Sequence, residues 1–112
     1  MPKPKNNFEF FREKCEYWRK KLNLTDWHIS YINEKLEDSV ATAETNIVAK
    51  TAWISLNTEI KEYHDLDKIA FEEVCHVLLA RIIYCGEQYY SADIIHEYEH
   101  TIINQFWNAF NS

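Results

Sequence analysis

At 112 residues, 46% hydrophobic and 15% aromatic, the chain is long enough for one core and too apolar to be disordered. A formal net charge of −6 sets it apart from nucleic-acid binders, which present a basic surface. No apolar run approaches the ~20 residues of a membrane helix. The three cysteines, Cys15, Cys75 and Cys85, include no CxxC pair, so reduced thiols and a cytoplasmic setting are expected.

In chain order, residues 1–6 read as a solvated tail, and 7–112 as one domain. Phe8, Phe11, Cys15, Trp18 and Leu22 recur at steps of three and four, which predicts an amphipathic helix over 7–22. Its lysines and arginines fall mostly off that stripe and read as a solvated face. A turn at 24–27 leads to alternation over 27–33, with Trp27, Ile29 and Tyr31 on one side, so a strand is expected. Two further strands are predicted at 40–45 and 50–57, with Asn46 near a turn and Ala52, Ile54 and Leu56 facing inward. Strands this close in sequence are expected to pair antiparallel.

A loop over 58–66 precedes a helix over 67–85, with Asp67 as its cap and Gly86 in the left-handed position beyond its end. A last helix follows from Ser91. Ile95, Ile102, Ile103, Phe106 and Phe110 make its apolar face, and Asp93, Glu97, Thr101, Asn104 and Asn108 its wet one. The pattern predicts an α+β domain: an N-terminal helix, a three-stranded, mainly antiparallel sheet, a buried helix and a closing C-terminal helix.

The 67–85 helix is apolar almost all round, yet it carries Glu72, Glu73 and His76. At roughly 100° per residue these three fall within about 100° of arc. Acids and an imidazole in a core are costly unless paired or metal-bound. Glu99 poses the same conflict, since it stands where the closing helix calls for a leucine. Glu72 and His76, at i and i+4, can grip one ion from a single face, and Glu99 can close the site from the other helix. Glu73 would then act on a metal-bound water. The simpler readings are a rim position for either glutamate, a hydrogen-bonded core histidine, and a Glu99 paired with Arg81 or a lysine.

His96-Glu97-Tyr98-Glu99-His100 also matches H-E-x-x-H. Glu97 falls on the wet face, and no Asp, Glu, His or Cys follows His100, so the two histidines read as surface groups, with His96 bordering the site.

Leu24-Thr-Asp-Trp-His-Ile, Ala52-Trp-Ile-Ser-Leu-Asn, Ala70-Phe-Glu-Glu-Val-Cys-His-Val-Leu-Leu and Glu99-His-Thr-Ile-Ile together resemble the small gluzincin-like metallopeptidase domains of phages and bacteria, the minigluzincins. The resemblance covers nearly the whole chain. It implies a zincin-like fold, zinc or another divalent metal, Glu73 as general base, and His76 and Glu99 as the second and third metal ligands. Glu72 stands where the family has its first histidine. One histidine and two carboxylates neutralise a divalent ion, which makes it a poorer Lewis acid. An oxygen-rich set also suits manganese or magnesium better than zinc. Weak zinc binding and weak or lost peptide hydrolysis are therefore expected. Thr51–Ser55 would be the strand that pairs with extended substrate. The alternative is a non-catalytic acidic module that binds or inhibits a protein partner, as for a phage or mobile element.

Overall fold

The computed structural model describes residues 6–59 and 65–111, so the expected tail falls almost wholly outside the described residues, as do positions 60–64 of the expected loop. The elements run α1 (Asn7–Lys21), β1 (His28–Glu34), β2 (Ala41–Asn46), β3 (Thr51–Asn57), α2 (Leu66–Glu87) and α3 (Ala92–Phe110). This is the expected α+β order.

The sheet is mixed rather than mainly antiparallel. Its order is β1-β3-β2, with β3 antiparallel to β2 and parallel to β1. β3 takes the centre because it is the most apolar strand. Ala52, Ile54 and Leu56 are buried on the helix side, and Ser55 is buried on the other, where its hydroxyl donates to Glu34. β1 and β2 are less buried than β3 and take the edges. The β2–β3 turn closes through Asn46, whose side chain accepts from the Ala49 amide, and through Lys50 in the left-handed region (φ 54°). Lys50 Nζ is held 2.9 Å from Asp26.

α1 starts at Asn6, whose Oδ1 accepts from the Glu9 amide, and buries Phe11, Cys15 and Trp18. α2 is capped by Asp65, not Asp67. Asp67 instead accepts from Trp18 Nε1 at 2.7 Å, tying α1 to the start of α2. Phe71 is fully buried and meets Trp18, Trp107 and Phe110 at ring-centroid distances of 4.8, 5.4 and 6.0 Å, so one aromatic side chain joins all three helices. Cys15 and Cys75 are buried free thiols, and Cys85 is an exposed one.

Gly86 is not a left-handed terminator. α2 continues through it to Glu87, and its φ is not positive. A Cβ there would stand 2.9 Å from Ile95 Cδ1, so its lack of a side chain admits the first turn of α3. Ser91 caps α3 as expected, accepting from the Ile94 amide. The broad apolar face predicted for α3 is only partly covered. Glu99 and Ile103 are buried, whereas Ile102, Phe106 and Phe110 remain 37%, 37% and 47% exposed. α3 packs chiefly on α2, and one helix neighbour covers one narrow strip of surface.

Candidate functional site

The carboxylate at position 99 points inward and meets the imidazole at 76. His76 Nδ1 lies 2.9 Å from Glu99 Oε2, across the seam between α2 and α3. The other oxygen, Oε1, is 3.2 Å from His96 Nδ1, and His96 Nε2 is in turn 3.2 Å from Glu87 Oε1. A chain of groups, His76–Glu99–His96–Glu87, thus crosses between the two helices twice. His100 stands edge-on to His76, with ring centroids 5.6 Å apart.

These residues line an open cleft of about 600 Å³. Glu73 and Ala80 line it from α2, and Ala41, Thr42, Ala43 and Thr45 form its β2 wall. β2 has β3 on one side only, so its other edge is unpaired within the sheet. β3 lies between two strands, so the expectation that Thr51–Ser55 pairs with an extended substrate fails: neither of its edges is free.

The electrostatics follow from this packing. Burial pushes the Glu73 carboxyl up to about 7; the charge of His76 opposes this, and those of Glu72 and Glu99 add to it. For His76, burial favours the neutral ring, but the Glu99 bond and the charges of Glu73, Glu99 and Glu72 outweigh it and raise the pKa above the usual 6.5. Burial would raise Glu99, yet the bonds and charges of His76 and His96 hold it below the usual carboxylate value. Burial, then Glu72 and Glu99, lifts the Cys75 thiol to about 12, which keeps it a protonated, unreactive group.

Of the four residues singled out from sequence, Glu73, His76 and Glu99 meet at the cleft. Glu72 is half-buried one turn before His76, where its charge reaches Glu73, Cys75 and His76, but it does not line the cleft. His96 and His100 do more than border the surface: both line the cleft, and His96 is bonded within it. The i, i+3 spacing of His96 and Glu99 was the available signal for that bond. Glu87, at the end of α2, carried no such signal. Glu97 lies exposed, as its place on the wet face implied.

A metal held by Glu72, His76 and Glu99 does not fit this arrangement. His76 Nδ1 and Glu99 Oε2 are bonded to each other, Glu99 Oε1 is occupied by His96, and Glu72 lies away from the cleft lining. Among the described residues, no group of three His, Cys, Asp or Glu side chains is placed to hold a metal ion.

No family model and no curated protein matches the sequence. Among solved structures, the chain is similar to the metallopeptidase zymogen of Methanocaldococcus jannaschii, jannalysin. The TM-score is 0.46 and the identity 17%, over 94% of this chain and 95% of that one.

Proposed function

We propose that this chain is a metallopeptidase-like domain of the gluzincin type whose centre has become a hydrogen-bonded network, and that it binds an extended peptide in the cleft without hydrolysing it. The observation that carries this reading is the direct His76–Glu99 bond, in which two groups expected to share a metal satisfy one another. Support for the ancestry comes from the sequence: the general-base position Glu73 and the ligand positions His76 and Glu99 lie together at one cleft, in the order the resemblance implies. Support for peptide binding comes from the cleft wall. The small residues of β2 leave room beside an unpaired strand edge, and an extended segment can add to such an edge through backbone hydrogen bonds.

The test is metal analysis of protein purified without chelator or histidine tag, beside a Glu72→His variant. The parent is expected to carry well under one zinc per chain. The variant, which sets a second imidazole one turn before His76 in place of a carboxylate, is expected to bind zinc at least about ten-fold more tightly. Stoichiometric zinc in the parent, together with peptide hydrolysis abolished by Glu73→Gln, would overturn the reading.

A further inference from the structure

The cleft presents three carboxylates, Glu73, Glu87 and Glu99, and among the described residues no lysine or arginine lines it. Two of the three are matched, Glu87 by His96 and Glu99 by His76 and His96. Glu73 is not. It is 8% exposed, and among the described residues no hydrogen bond or ion pair reaches its carboxylate. The residue lines the cleft, so its small exposed part opens into that space. The nearby charge of His76 offsets only part of the cost of holding this carboxylate so deep, and a cation that arrives through the cleft can offset more of it.

We propose that the cleft floor is a subsite for a basic side chain, with the ammonium of a lysine in the bound peptide standing against Glu73. The inference rests on the peptide-binding reading above and names the side chain that the site selects. The ammonium would donate a charge-assisted hydrogen bond to Glu73 in a partly dry setting, where such bonds are strongest. Glu87 and Glu99 line the same cleft but are already bonded to His96 and His76, which leaves Glu73 as the carboxylate open to the ammonium. Ile83 and Tyr84, also in the cleft wall, would cover the aliphatic stem, since a lysine lays its methylenes along apolar surface. Ala80 and Ala43 leave the width that this side chain needs.

The experiment titrates the full chain with two peptides and follows its amide NMR signals near pH 8 at low salt. One is acetyl-Thr-Val-Lys-Val-Thr-amide; the other carries norleucine in place of lysine. The lysine peptide is expected to bind about ten-fold more tightly or better. Glu73→Gln should remove that preference, whereas Glu73→Asp, which keeps the charge, should retain part of it. Glu44→Gln makes the same charge change on the far face of β2 and should leave the preference intact. Equal binding of the two peptides would overturn the subsite and leave peptide binding standing. No binding of either would overturn both readings. A preference that survives Glu73→Gln would show that the cation is held elsewhere, and the assignment to Glu73 would fall.

Discussion

Glu73→Gln is expected to stabilise the fold near pH 8 by up to about 3 kcal/mol, and the gain should vanish by about pH 4.5. The carboxyl has a folded pKa of about 7 against an ordinary 4.5. Between those values the folded chain holds a proton that the unfolded chain has released, so stability rises as pH falls from about 7 to 4.5. Above pH 7 both states are ionised and the folded state bears the whole cost of a buried charge. Below pH 4.5 both are protonated and the group contributes nothing. Glutamine is neutral throughout and escapes this dependence. The value of about 7 already includes the attraction of His76, and about 1–3 kcal/mol is the measurable range. Urea unfolding of parent and variant across pH 4 to 8 checks this. A variant no more stable than its parent at pH 8 would mean that Glu73 is solvated or already partnered.

Phe71→Ala should have the opposite sign and a larger effect, a loss of about 3–5 kcal/mol. That is a large share of the ~5–15 kcal/mol typical of a whole domain. Phe71 is fully buried, and its ring meets Trp18 from α1 and both Trp107 and Phe110 from α3. Removing it opens a cavity that three helices line, and those helices cannot all collapse into it at once. The loss reaches the cleft as well. Trp107 and Phe110 are part of what holds α3 against the body, and α3 carries Glu99 to His76. Thermal unfolding should therefore fall by roughly 10 °C or more, and Phe71→Leu should recover a good part of it. A cost below about 1 kcal/mol would show that α3 is held by something other than this aromatic cluster.

The two predictions touch different parts of what the sequence revealed. A buried Glu99 was legible because a carboxylate stood in the middle of an apolar helix face, and the structure leaves it 3% exposed. The inward set of β3 and the Ser91 cap were legible for the same local reason, since each depends on residues within a turn or two. The order of the strands was not, because it depends on which strand the helices bury, a competition among segments far apart in sequence. Gly86 looked like a terminator because glycine ends helices more often than it admits a neighbouring one. Here the contact with Ile95 decided, and that is a tertiary fact. The role of Asp67 was hidden similarly. A cap and a bond to Trp18 draw on the same side chain, and the nearby Asp65 took the cap.

The site divides along the same line. His76 and Glu99 could be placed on facing helices from their periodicity. That Glu99 would also bond His96, and His96 reach Glu87, depended on how deeply α3 sits and how far α2 runs past Gly86. Glu72 shares a helical face with His76, yet the cleft opens on the other side of that face, toward Glu73 and Ala80. Helical angles alone cannot fix where the opening falls.

The opposite pKa shifts of the bonded pair set its working window. The depressed Glu99 value gives stability that is present above about pH 4.5 and lost as pH falls through its folded value. The raised His76 value gives stability that is present below 6.5 and lost as pH rises through its folded value. The pair is therefore strongest between those two limits.

The most direct measurement is the NMR titration of the His76 ring in the parent, with and without one equivalent of zinc. The predicted result is a proton on Nδ1 shared with Glu99, a midpoint above 6.5 that falls in Glu99→Gln, and no change when zinc is added. A midpoint indifferent to Glu99→Gln, or a His76 signal that zinc captures at one ion per chain, would contradict a centre organised around that bond.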